Sequence, residues 1–128
     1  MRTLRRVLVI AAVSAFATCG GGGGNPGGPS PSENPNQLTI SAAGVLSPAE
    51  LVVTQGSRVL FINNHSRAHN MTSDPHPEHD DCPEINQVGL LASGQRRETG
   101  NLVTVRTCGI HDHDDPANGS LRARIVIR

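Results

Sequence analysis

Short runs in which hydrophobic and polar residues alternate dominate the chain from residue 37 onwards. They are QLTISAAG at 37–44, the two runs Leu51–Thr54 and Arg58–Asn63 with a predicted turn at Gln55-Gly56-Ser57, LVTVRT at 102–107, and SLRARIVIR at 120–128. Alternation with a period of two places every second side chain on one face of a β-strand. Because no window shows a helical stripe, the pattern predicts an all-β, antiparallel β-sandwich or barrel.

The C-terminal run shows the clearest face. Four aliphatic residues fall on one side of it, Leu121, Ala123, Ile125 and Ile127, and three arginines on the other, Arg122, Arg124 and Arg128. A strand of this kind has one face in the core and the other in water. The polar, proline-containing segment 72–83 is predicted to be a long loop.

The first 36 residues differ in composition. Residues 1–19 have a basic start and an apolar run from Val7 to Ala17. That run is about half the roughly 20 residues of a membrane-spanning helix, so it predicts an export signal. Its end, FATC, resembles a bacterial lipoprotein signal, which implies lipid attachment at Cys19. The alternative is an ordinary secretory signal that is cleaved nearby, and both interpretations predict export. Residues 20–36 hold half of the 14 glycines and predict a disordered tether.

These features predict a folded domain at 37–128 that is exported, periplasmic or at the cell surface, and lipid-anchored to a bacterial membrane. After the predicted signal, 8 arginines and no lysine face 11 acidic residues, a net charge of −3. Nucleic acid is therefore not an expected partner, because phosphate binding needs clustered positive charge. No nucleophile–base pair or phosphate-binding loop is recognisable, so we do not expect an enzyme.

All six histidines lie between residues 65 and 113, in two groups with two of the three cysteines. The first group contains His65, His69, His76, His79 and Cys82, and the second contains Cys108, His111 and His113. Imidazole and thiolate are the side chains that bind copper or zinc at neutral pH. Since antiparallel strands can bring both groups to the same end of a sandwich, the sequence predicts a metal site there.

The segment LSPAELVVTQGSRVLFINNHSRAHNM (46–71) resembles the first half of a cupredoxin, and a strand, Cys-x-x-His and a closing strand resemble the second half. The resemblance covers essentially the whole predicted domain and implies a Greek-key β-sandwich of the plastocyanin type. It also implies one copper ion, used for one-electron transfer or copper carriage, with a redox partner or a copper donor or acceptor protein. The matching positions imply His69, Cys108 and His111 as ligands. The family's usual methionine is absent after His111, which leaves His113 as a fourth ligand.

Cys108 has a second interpretation. If Cys19 is lipidated, Cys82 and Cys108 remain, and an even pair in an exported domain is typical of a disulfide. The metal site would then be histidine-only, and zinc could replace copper. His111 and His113 would bind one ion together, because residues two apart on a strand point the same way. The cupredoxin resemblance favours the thiolate instead.

Further alternatives concern the remaining histidines and the role of the domain. His76 and His79 would complete a histidine-only site with His69, or would simply belong to a solvated acidic loop. His65 is expected to be a solvated loop residue, whereas Asp112 could orient a ligand imidazole by a hydrogen bond. The corresponding functions are a non-redox metal-binding domain, or a small oligomeric copper oxidase or reductase similar to one multicopper-oxidase domain.

Overall fold

The computed structural model describes residues 35–128. The predicted export signal, Cys19 and tether residues 20–34 lie outside the described residues. Within 35–128, no helix is long and apolar enough to cross a membrane.

Nine strands form two sheets. The strands are β1 (Gln37–Ile40), β2 (Leu46–Ser47), β3 (Glu50–Val53), β4 (Leu60–Asn63), β5 (His69–Ser73), β6 (Gly89–Leu91), β7 (Arg96–Glu98), β8 (Thr107–Asp112) and β9 (Ala123–Ile127). One sheet has the order β2-β1-β4-β7 and the other the order β3-β9-β8-β5-β6. Two single 3₁₀ turns, Ile85–Gln87 and Gly119–Leu121, are the only helical segments among residues 35–128. The prediction of an all-β sandwich is confirmed.

Strand pairing follows the antiparallel expectation except in two places, where β1 runs parallel to β4 and β3 runs parallel to β9. The predicted turn at Gly56 is present, but β3 and β4 on its two sides belong to different sheets. Gly56 has a φ of 84°, which favours glycine. The turn therefore carries the chain from one sheet to the other.

The core between the sheets is mainly aliphatic, and Phe61 is its one phenyl ring among residues 35–128. It takes side chains from both sheets, including Leu38 and Ile40 on β1 and Ile110 on β8. The predicted faces of the last strand are confirmed, because Leu121, Ile125 and Ile127 are buried and Ala123 is partly buried against the core, whereas the three arginines are exposed.

The predicted strand at 102–107 is wrong for most of its length, since β8 begins only at Thr107. Val103 and Val105 are 54% and 60% exposed, and only Leu102 is buried. The backbone of Leu102 exchanges hydrogen bonds with Gly56 and Ser57 in the inter-sheet turn. The segment therefore bonds to a turn rather than to a neighbouring strand, and its alternating side chains do not lie on the two faces of a sheet.

Candidate metal centre

The end of β8 presents His111, Asp112 and His113, which point alternately to the two faces of the five-stranded sheet. Asp112 pairs with Met71 on β5, and Met71 is completely buried, so Asp112 points to the core face. His111 pairs with Thr72 and points to the opposite face, as does His113 two residues later. We refer to this second face as the outer face.

Four imidazoles meet on the outer face, and we call them the outer cluster: His76, His79, His111 and His113. Five of their ring pairs have centroids 4.8 to 5.6 Å apart. One ligand nitrogen from each of His76, His79 and His111 lies within 4.8 Å of the other two. Nitrogens bound to one tetrahedral ion lie about 3.3 Å apart. Small side-chain movements would therefore bring them to one ion.

Asp74 sets the orientation of His111. Nδ1 of His111 donates to Asp74 Oδ1 at 2.5 Å, so the lone pair is on Nε2, which lies 3.5 Å from Thr72 Oγ1. Gly109 makes this contact possible, because a Cβ at position 109 would overlap the Asp74 carboxylate. A carboxylate behind a histidine is the usual arrangement around a bound metal.

His79 is oriented in a similar way. Its Nδ1 donates to the Ser73 carbonyl oxygen at 2.8 Å, so its Nε2 carries the lone pair and accepts from His113 Nδ1, also at 2.8 Å. The His79 backbone has a φ of 56°, a left-handed conformation that is costly for a side chain of this kind. Three more hydrogen bonds hold it there, from Ser73 Oγ and Asn86 Nδ2 to its carbonyl and from its N–H to Pro75. Strain maintained in this way is typical of functional sites.

Burial lowers the pKa of His111 below its ordinary value of 6.5, against the opposing effect of the hydrogen bond and charge of Asp74. His79 and the positive charge of Arg122 lower it further. The neutral imidazole is the form that binds a metal ion. The site therefore keeps His111 ready to bind at neutral pH.

His69 lies on the other side of the sheet from the outer cluster. It is two residues before Met71 on β5 and so shares the core face with Asp112. Its Nδ1 donates to Asp112 Oδ2 at 2.7 Å, and its Nε2 lies 2.8 Å from Nδ1 of His65. The predicted set in which His69 joins His111 and His113 around one ion is therefore not formed. Asp112 does orient an imidazole, that of His69.

The thiolate interpretation of Cys108 does not match this structure, in which Cys108 and Cys82 form a buried disulfide. Strand geometry gives a second reason. Cys108 pairs with Ile125 and faces the core, whereas His111, three residues later on the same strand, faces outwards. Cys-x-x-His can converge on one ion only if the strand ends between the two residues, and β8 continues to Asp112.

The sequence pattern favours His69 over His76 and His79 as a metal ligand, and it predicts that His65 is a solvated loop residue. The structure brings His76 and His79 to His111, and places His65 against His69. One feature of the sequence could have predicted the contact between His79 and His111. His79 lies three residues before Cys82 and His111 lies three residues after Cys108, so a disulfide between the cysteines brings these two histidines close together.

The fold of residues 35–128 is that of a cupredoxin, which confirms the resemblance seen in the sequence. It is similar to a purple cupredoxin from Nitrosopumilus maritimus, with 20% identity and a TM-score of 0.55 over 72% of this chain and 98% of that one. It is also similar to oxidized plastocyanin from Dryopteris crassirhizoma, with 14% identity and a TM-score of 0.56 over 72% and 99% of the two chains. A mutant amicyanin in the Cu(I) form shows 18% identity and a TM-score of 0.55 over 72% and 80%. No family model and no curated protein matches the sequence.

The donor atoms of the outer cluster fit one class of metal site. A thiolate copper centre does not fit, because Cys108 is bonded to Cys82. An all-imidazole set does fit, since imidazole is a ligand for copper and zinc in proteins. Two of the four rings, those of His79 and His111, have their Nδ1 proton bound to a protein oxygen, which makes Nε2 the atom that would bind an ion. Nε2 of His79 would give up its hydrogen bond from His113, and Nε2 of His111 lies 3.5 Å from Thr72 Oγ1.

Proposed function

We propose that this protein binds one copper ion outside the cytoplasm, through the imidazoles of the outer cluster alone. One observation carries the proposal. His76 and His79 come from the 74–83 loop and His111 from β8, yet one ligand nitrogen of each lies within 4.8 Å of the other two. A hydrogen bond at Nδ1 fixes the orientation of the His79 and His111 rings. The Cys82–Cys108 disulfide brings the two segments together, and the hydrogen-bond acceptor behind each ring is the arrangement that metal-binding histidines usually have.

Copper is the proposed metal because four imidazoles suit Cu(II), which binds more tightly than other first-row divalent ions to a given nitrogen site. The similar fold of amicyanin, solved in a Cu(I) form, supports the same choice. Zinc would fit the same donors and is the metal to test beside copper.

The role that suits this site best is copper carriage, in exchange with a donor or acceptor protein. His111 is completely buried, but His76 at the other side of the cluster is exposed. An incoming ligand from a partner could therefore replace His76 first and draw the ion out. The Cys82–Cys108 disulfide supports export, since disulfides persist in oxidising compartments. The predicted signal and Cys19 complete the proposal of a lipid-anchored protein.

Copper titration followed by absorption and paramagnetic resonance spectroscopy tests the proposal. We expect a pale Cu(II) spectrum with nitrogen ligands and no intense sulfur-to-copper band. The double variant His76→Ala/His79→Gln should bind one Cu(II) ion fewer than the wild type, whereas Asn101→Ala, an exposed change outside the outer cluster, should bind as many. Unchanged copper binding in the double variant would overturn the proposal.

A further inference from the structure

A second pair of imidazoles, His65 and His69, lies on the core face of the five-stranded sheet, and we call it the inner pair. The two rings stack with centroids 5.0 Å apart and planes 17° from parallel. Nδ1 of His65 and Nε2 of His69 face each other at 2.8 Å. His69 is only 6% exposed and His65 is half-buried.

Asp112 fixes which nitrogen of His69 is free. This carboxylate is 3% exposed and accepts the backbone N–H groups of Asn70 and Asp114 at 3.0 and 3.1 Å. Its other oxygen accepts Nδ1–H of His69 at 2.7 Å. Nε2 of His69 therefore keeps its lone pair, with a carboxylate behind the ring as in protein metal sites.

The position of His65 is built into its surroundings. Its N–H donates to Oδ1 of Asn63 at 2.9 Å, and Asn63 is completely buried. Its ring packs on Gly44, where a Cβ would lie only 3.2 Å from Cε1. Gly44 also has a φ of 73°, so two separate requirements select glycine there. His65 is thus a positioned side chain rather than a solvated one.

A cavity of about 330 Å³ opens beside the inner pair. Its lining includes three carboxylates, Asp112, Asp114 and Asp115, and one guanidinium, Arg67. This balance favours a cation. If the His65 proton moves to Nε2, Nδ1 becomes a second free ligand atom. The two nitrogens need to separate from 2.8 Å to about 3.3 Å to share one ion.

We propose that the inner pair is a second metal site, which holds a divalent transition ion through Nδ1 of His65 and Nε2 of His69. The remaining coordination positions face the acidic cavity and are open to water or to a carboxylate. The site does not depend on the outer cluster, because the two sets of ligands lie on opposite faces of the sheet.

Zinc stoichiometry tests this inference, measured by calorimetry and native mass spectrometry on the whole protein. We expect two ions in the wild type, one in His65→Ala and one in His76→Ala/His79→Gln, with two retained in Asn64→Ala, an exposed neighbour of His65. Two ions in His65→Ala, or a single wild-type ion that survives this change, would overturn the inner site. A single ion lost in His65→Ala but kept in the double variant would uphold the inner site and remove the outer one.

A glycine pair supplies a second measurement that leaves every ligand in place. Gly44 and Gly56 both have a positive φ, so alanine costs similar backbone energy at each. Only at position 44 would the new Cβ press on the ring of His65, since nothing lies within 4 Å at position 56. Gly44→Ala should weaken zinc binding at the inner site by at least about tenfold relative to Gly56→Ala. Equal affinities in the two variants would count against the inner site.

Discussion

Replacement of both Cys82 and Cys108 by alanine should lower the stability of the domain by about 3 to 4 kcal/mol. The disulfide spans 26 residues of sequence, and the chain-entropy estimate for a loop of that length lies in this range. Both side chains are completely buried, so alanine is preferred to serine, which would bury a hydroxyl group. For a small domain this loss is a large share of the free energy of unfolding.

The same variant should still bind metal, with only a modest loss of affinity. Besides the disulfide to β8, hydrogen bonds attach the 74–83 loop to β5, among them His79 Nδ1–H to the Ser73 carbonyl and Ser73 Oγ to the His79 carbonyl. We therefore expect affinity to fall by no more than about tenfold, or about 1.4 kcal/mol. The shape of the Cu(II) spectrum should not change, because no ligand is removed.

Urea unfolding of the metal-free proteins measures the first effect, and copper titration measures the second. Peptide mapping of thiols in the unreduced protein should find Cys82 and Cys108 bonded to each other. Two free thiols at these positions, a stability loss below about 1 kcal/mol, or an intense visible band that disappears in the variant would each refute the reasoning. The last result would restore Cys108 as a copper ligand.

Three further changes probe the outer cluster. Gly109→Ala should displace the Asp74 carboxylate and weaken zinc binding, measured by calorimetry, about 10- to 100-fold. Gly119→Ala is the control and should have no effect, because nothing lies within 4 Å of a Cβ there. Equal zinc affinities of the two variants would contradict this. His79→Gly should abolish zinc binding at the outer cluster yet lower stability by only about 1 to 2 kcal/mol, because glycine relieves the left-handed φ while two side-chain hydrogen bonds are lost. Retained zinc binding at the outer cluster would contradict this. Because the folded-state pKa of His111 is lowered from 6.5, its contribution to metal-free stability should be complete above pH 6.5 and decrease as pH falls below it. Urea midpoints at about pH 7.5 and pH 5.5 should fall less in His111→Asn than in the wild type, and an equal fall would contradict this.

Much of the fold could be predicted from local patterns, because those patterns report which face of a strand meets the core. The alternation of β9 predicted its buried and exposed faces correctly. The same pattern at 102–107 failed, since alternation shows only that a strand is possible. Whether one forms depends on a partner strand, and here Leu102 bonds instead to the turn at Gly56 and Ser57.

The candidate site was harder to predict because it depends on where one strand ends. The spacing of Cys108 and His111 suits a shared ion if the chain leaves the sheet between them. The first strong turn signal is Asp114-Asp115-Pro116, beyond both residues, and β8 accordingly extends to Asp112. Three residues of extended chain then place Cys108 and His111 on opposite faces.

The separation of the two histidine sets follows from that single strand. His111 and His113 flank Asp112, so the geometry that sends two imidazoles outwards must send the carboxylate between them inwards. There it meets His69, which the register of β5 brings to the same face as Met71. A shift of β8 by one residue against β5 would exchange the two faces and break both arrangements at once. The strand register, more than any one ligand, therefore determines what either site can bind.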